Sequence, residues 1–167
     1  EVKPLGIGGA SVSASAMCAN GQTIPESVKS VGWRDVEHRR RYWQKRVFIF
    51  DSGVADLPDE FIIDRGLARN FVGDTWNGGW RDCNGHGTHV AGTIAARNNN
   101  CGVVGVAAGI TIVPIRVLNC NGGGNVAEIL NALNYLSSVA VRGDVVNISL
   151  GGIMEQTSMD IAIQNIA

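Results

Sequence analysis

At 167 residues the chain is long enough for one domain that buries a proper core. Hydrophobic residues make up 45% and charged residues 17%, which excludes a disordered chain, and no apolar run approaches the ~18 residues of a membrane helix. The formal net charge of -1 supplies no global attraction to nucleic acid or anionic lipid.

The chain begins at Glu1 without a signal-like apolar segment, so any export signal is expected to have been removed already. Residues 5–20, LGIGGASVSASAMCAN, are nearly all small and lack any period, and residues 1–20 read as a flexible leader or remnant linker. After Pro25 a short helix is predicted over 26–31. Arg39, Arg40, Arg41, Lys45 and Arg46 form a basic cluster, read as a solvated surface turn with a processing site as the alternative. VFIF at 47–50 is a continuous apolar run of the kind found in strands buried on both faces, and it stops at Asp51-Ser52-Gly53. Similar runs cover 110–118, ending in NCNGGG, and 145–149, ending in Gly151-Gly152. Helical spacing is found over 86–97 and over 126–139, and 158–167 also reads as a helix. Strands alternating with helices predict an α/β fold with a mostly parallel sheet flanked by helices. Pro114, which cannot donate to a ladder, suggests a local edge or bulge in the second strand.

In such sheets, polar residues at the carboxyl ends of strands collect in one crevice. Asp51, the glycines Gly122, Gly123 and Gly124, and Ser149 all sit at such ends. A carboxylate behind four apolar residues needs a partner. Histidine can be that partner: Asp51 would fix the tautomer of His86 and leave its other nitrogen as a base. Gly85 and Gly87 remove bulk where another chain or substrate must approach the imidazole. The residues alone leave open a plainer reading, an N-cap aspartate beside a packed histidine. The four cysteines, Cys18, Cys83, Cys101 and Cys120, contain no CxxC, and their even number suits an exported, oxidised protein.

DSGV at 51–54, HGTHVAG at 86–92 and NISLGG at 147–152 follow in this order, and with them the sequence resembles the subtilisin family of serine proteases. The likeness runs from about Gln22 to the last residue, so residues 21–167 are expected to form the N-terminal portion of a three-layer catalytic domain. By that resemblance Asp51 orients the imidazole and His86 is the general base. Gly122, Gly123 and Gly124, with Ser149, Leu150 and Gly151, would flank an extended substrate and pair with its backbone, while Val126 and Leu150 line apolar pockets. A glycine turn that cradles phosphate is the alternative, but neither GxxxxGK[ST] nor GxGxxG is present. His89 is read as a packed structural histidine, since HGTH lacks both HExxH and a third ligand.

RNNNCGVVGV at 97–106 resembles the calcium loop that interrupts the histidine helix of bacterial subtilisins. The resemblance implies ligation of Ca²⁺ by the carbonyls of Arg97, Cys101 and Val103 and the side chain of Asn99, completed by Asp59 and Gln22. An all-oxygen cage of this size suits Ca²⁺. The cysteine positions resemble the aqualysin-like branch, which implies a Cys83–Cys120 bridge and leaves Cys18 and Cys101 as a conceivable staple. The Asn147-Ile148-Ser149 sequon falls in a predicted buried strand and is expected to carry no glycan. Arg142-Gly143-Asp144 reads as a turn rather than an adhesion motif.

The family's serine lies in a GTSMA-like block beyond the SLGG segment, and the oxyanion asparagine lies between them. Thr157-Ser158-Met159 comes too early and lacks the flanking glycine and alanine, so Ser158 is rejected as nucleophile. The expectation is a secreted subtilisin-like endopeptidase acting on peptide or protein substrates. A complementary chain would carry its serine and oxyanion asparagine, leaving the fold incomplete and inactive in this chain alone. A truncated pseudoprotease that binds peptides without cleaving them is the alternative. No nucleic acid or membrane partner is expected.

Overall fold

The computed structural model describes residues 2–4, 21–33, 45–152 and 156–164, with the side chains of 2–4, 152 and 156–159 left out of the description. In chain order the elements are β1 (Val2–Pro4), β2 (Gln22–Thr23), α1 (Glu26–Ser30), β3 (Arg46–Asp51), β4 (Ile62–Ile63), β5 (Arg69–Asn70), α2 (His86–Ala95), β6 (Gly102–Val103), β7 (Thr111–Arg116), α3 (Val126–Val139), β8 (Val145–Ile148), β9 (Leu150–Gly152) and α4 (Gln156–Gln164). The main sheet is parallel throughout, in the order β4-β7-β3-β8, with β5 pairing further along β7.

The apolar run of β3 is buried on both faces because helices lie on both. Phe48 and Phe50, with Val113 and Ile115 of β7, pack against Ile129, Leu133 and Leu136 of α3. Val47, Ile49 and Ile112 point the other way, into a second cluster with Ala91 and Ala95 of α2. The two-residue period of a strand thus separates two cores. α3 starts where its sequence dictates: Asn125 accepts from the Glu128 amide at 2.9 Å while Glu128 accepts from the Asn125 amide at 3.2 Å, closing a capping box.

Pro114 sits inside β7, opposite Ile49, with the register unbroken from Thr111 to Arg116 and therefore no bulge. Its tolerance comes from the other side. There β4 pairs no further than Ile112 and β5 begins at Ile115, so the ladder has a local edge where the donor is missing.

Four expectations need correction. Residues 2–4 are not a loose leader: β1 pairs antiparallel with β9, Lys3 opposite Gly151. Arg46 is no solvated turn residue; it opens β3 and pairs with Asp144 at 2.5 Å, while Lys45 donates to the Arg142 carbonyl. Arg39, Arg40 and Arg41 lie outside the described residues. The 145–149 run is only partly buried, with Val145 55% exposed, because β8 has β3 on one side and no strand on the other among the described residues. Finally, α4 starts at Gln156, earlier than expected, and takes in Ser158. Asp144 of the RGD turn is engaged by Arg46 and by the Val141 amide. Among the described residues no helix is long and apolar enough to cross a membrane.

Candidate active site

β3 lies between β7 and β8, and all three run the same way, so their carboxyl ends open on one edge. Asp51 ends β3 fully buried, and His86 opens α2 at 5% exposure. His86 Nδ1 lies 2.9 Å from one Asp51 carboxylate oxygen and 3.0 Å from the other. With the proton on Nδ1 donated to the carboxylate, Nε2 carries the lone pair of a base. Burial raises the Asp51 carboxyl above its ordinary range, opposed by the hydrogen bonds from His86 and from the Ser52 amide.

The structure shows what approaches Gly87. A Cβ there would collide with the Gly53 carbonyl and stand 3.1 Å from the Asp51 Cβ, so a close approach is made by the segment that ends β3. Gly85 is the α2 N-cap at φ 102°, a left-handed position that favours glycine.

Several polar residues that the motifs did not single out hold this junction. The Ser52 amide donates to Asp51 Oδ1 at 2.7 Å, and Ser52 Oγ donates to Asp82 at 2.9 Å. Asp82 accepts further from Asn84, Gly85 and Thr88. The available signal was an aspartate just ahead of a helix start, a position that favours capping.

On the β7 side, the Val117 and Leu118 amides both donate to the Asp51 carbonyl, which fixes the glycine segment to the pair. The Asn119 side chain accepts from the Asn121 and Gly123 amides and shapes that loop. A hollow of about 340 Å³ is lined by Gly123, Gly124, Asn119, Asp74, Glu128 and Val72, among others. Val126 is not on its wall, and Leu150 packs onto the α3 core. Ser149, Leu150 and Gly151 follow β8 on the opposite side of β3, where Ser149 Oγ accepts from Asn147 and Gly151 pairs with β1. Thus the two glycine segments flank Asp51 without sharing the hollow.

Cys83 is bridged to Cys120, tying the segment before His86 to the glycine loop, and Asn84 Nδ2 donates to the Cys120 carbonyl at 3.1 Å. Cys101 is also disulfide-bonded; Cys18 lies outside the described residues. His89 is exposed, which corrects its reading as a packed residue. It lines a hollow of about 760 Å³ along α2 with Gly92, Thr93 and Phe61, among others.

At the 97–106 loop, β2 pairs with β6 and brings Gln22 to the centre of an oxygen cluster. Gln22 Nε2 lies 2.7 Å from the Arg97 carbonyl, 3.4 Å from Asn99 Oδ1, and 3.2 Å from the carbonyls of Cys101 and Val103. A side-chain amide nitrogen carries two hydrogens, fewer than these acceptors need. The acid that reaches this loop is Glu60. It is 5% exposed, one oxygen is met by Asn99 Nδ2 at 3.4 Å, and Oε2 is buried without a partner. Asp59, the expected ligand, is exposed and meets Asn99 only through its backbone carbonyl. A surplus of converging oxygens beside an orphaned carboxylate oxygen fits a hard cation. Among the described residues no group of three or more His, Cys, Asp or Glu side chains is placed to hold a metal.

Fold and site together define a class: an α/β protein with a buried carboxylate–imidazole pair at the carboxyl edge of a parallel sheet. Comparison with known proteins narrows it. The sequence model of the Subtilase family matches residues 33–166. An extracellular serine proteinase of Thermus sp. (strain Rt41A) is 38% identical over 71% of this chain and 27% of its own length. Subtilisin DY of Bacillus licheniformis is 38% identical over 71% of this chain and 41% of its own. A crystal structure of a cold-adapted subtilisin-like serine proteinase superposes with a TM-score of 0.59 at 28% identity, over 80% of this chain and 46% of that one. The chain belongs to the subtilase family, and it spans less than half the length of these relatives.

Proposed function

We propose that this chain supplies the aspartate and histidine of a secreted, calcium-stabilised serine endopeptidase that cleaves peptide or protein substrates. The serine and the oxyanion asparagine would come from a segment outside these 167 residues. The observation that carries the reading is the buried Asp51–His86 pair, 2.9 and 3.0 Å apart at the sheet's carboxyl edge. In the reaction, His86 takes the serine proton as the oxygen attacks the scissile carbonyl, and Asp51 holds the imidazole and stabilises its cation. His86 then returns the proton to the leaving amine, and water resolves the acyl-enzyme by the same route.

The substrate would lie extended along Ser149, Leu150 and Gly151, opposite Gly122, Gly123 and Gly124. In support, β9 already carries an antiparallel strand in β1. Calcium would be held by the carbonyls of Arg97, Cys101 and Val103, the side chains of Gln22 and Asn99, and Glu60 in place of Asp59. It would supply rigidity to the loop after α2 and take no part in the reaction. The Cys83–Cys120 bridge supports an oxidising, extracellular location.

Intact-mass analysis of the native protein after fluorophosphonate labelling, reduced and denatured, tests the reading. A label on a serine-bearing segment associated with this chain is the expected result. A native protein without a reactive serine sinks it and leaves a peptide-binding pseudoprotease.

A further inference from the structure

We propose that Asp82 is a positioning residue that sets the Asp51–His86 geometry through Ser52 and the backbone on both sides of His86. The proposal rests on the catalytic reading of that pair.

Asp82 receives five hydrogen bonds. Oδ1 accepts from Ser52 Oγ, the Asn84 amide and the Gly85 amide, each at 2.9 Å. Oδ2 accepts from the Thr88 amide at 2.9 Å and from Thr88 Oγ1 at 2.5 Å. A carboxylate offers about four lone-pair sites, so its acceptor capacity is filled. These donors belong to two different elements. Ser52 follows the last residue of β3, whereas Asn84 and the N-cap Gly85 lead into α2 and Thr88 belongs to its first turn.

Each contact is continued by a second one that crosses the same junction. Ser52 Oγ donates to Asp82 while accepting from the Gly87 amide at 3.0 Å, and the Ser52 amide grips Asp51 Oδ1 at 2.7 Å. Thr88 Oγ1 donates to Asp82 while accepting from the Ala55 amide at 2.9 Å. The amide before His86 is therefore tied to Asp82, and the amide after it to Ser52. Ser52 in turn is bonded both to Asp82 and to the catalytic carboxylate. Strand end and helix start become one rigid body, with the 2.9 Å Asp51–His86 contact inside it.

A helix cap alone would need only the α2 amides. The α2 N-cap residue is Gly85, which has no side chain to serve them, and Asp82 fills that place with a charge favourable to the helix N-terminus. The hydroxyl bond to Ser52 adds something a cap does not require, a link to the residue beside Asp51. Asparagine at position 82 keeps the shape but replaces one acceptor oxygen with an NH₂ group, which faces donors it cannot serve.

Two measurements on the native, serine-bearing protein test this. The first is the steady-state kinetics of Asp82→Asn, Ser52→Ala and the double variant. Asp82→Asn should lower kcat by roughly 10- to 100-fold, the scale expected of a misplaced catalytic group, with KM within about 2-fold. The double variant should cost little more than the worse single one, because both substitutions cut the same link. The second is the His86 Nδ1–H proton resonance, which should move or broaden in both single variants. A resonance and a kcat that stay at wild-type values in folded Asp82→Asn overturn the proposal. So does a loss of activity that only tracks the unfolded fraction. Should Asp82→Asn not fold, Ser52→Ala removes the link, giving up the Gly87 amide bond but keeping the Asn84, Gly85 and Thr88 amides on Asp82, and the same two outcomes decide. If the wild-type protein neither labels nor turns over peptide, the proposed function fails separately, and the resonance still reports on Asp82.

Discussion

Arg116 shows at the residue scale how a buried charge is held beside this site. It is fully buried, its Nη1 and Nη2 meet the two Asp74 oxygens at 3.0 and 2.5 Å, and Nη1 also reaches Asn70 Oδ1 at 3.3 Å. Nη2 further lies 3.4 Å from the Cys83 sulfur. The hydrogen bond from Arg116 is the main cause holding the Asp74 carboxyl below its ordinary range, against partial burial. A carboxyl lowered in the folded state stabilises above its unfolded value, ~3.9, and that contribution fades as pH falls through the lowered value. Removing one partner of such a pair leaves the other charge uncompensated. Asp74→Ala should therefore cost about 3 kcal/mol near neutral pH, with the gap to wild type narrowing below pH ~3.9. Chemical denaturation of both proteins across that range checks it; a pH-independent gap counts against the ion pair.

Elements here compete for one another's edges, and β9 is the clearest instance. Backbone pairing between β1 and β9 occupies the strand on which a substrate is proposed to lie, with Lys3 opposite Gly151. A peptide that binds by main-chain hydrogen bonds must first displace that segment. Removing residues 1–4 from the native protein should strengthen the binding of an extended peptide inhibitor, by calorimetry, by at least several-fold. Equal affinity with and without the segment would mean that the peptide binds elsewhere. Sequence periodicity located the elements behind this edge well. α3 was expected over 126–139 and is found there, because its apolar spacing and the Asn125–Glu128 box agree on one start. The 145–149 strand was found but its burial was not, since burial depends on what lies beside β8 rather than on the strand's own residues.

At the scale of the whole molecule, long-range ties fasten loops that are far apart in sequence. The Cys83–Cys120 bridge spans 37 residues and in the chain-entropy account contributes ~3–4 kcal/mol. A cation at the Gln22 loop would add to this by joining β2, the Glu60 turn and the 97–106 loop. At 100 times its dissociation constant a bound ion adds about 2.7 kcal/mol, so chelation with EGTA should lower the melting temperature by roughly 5–10 °C. Glu60→Gln should shrink that shift and Asp59→Asn should not. A wild-type melt indifferent to EGTA excludes the calcium reading.

What the chain's own order of residues determined was the fold class, the positions of β3, α2 and α3, and the Asp51–His86 pair. These depend on local period and on three motifs whose chemistry is carried by single side chains. Tertiary structure alone decided which acid reaches the 97–106 loop, because Asp59 and Glu60 are neighbours and only the turn's orientation buries one and exposes the other. It also decided what surrounds Gly87, where residues 2–4 pair, and that Ser52 and Asp82, 30 positions apart, share a hydrogen bond. Contacts between distant segments are set by how the sheet and helices pack, and no local pattern in a single sequence records them.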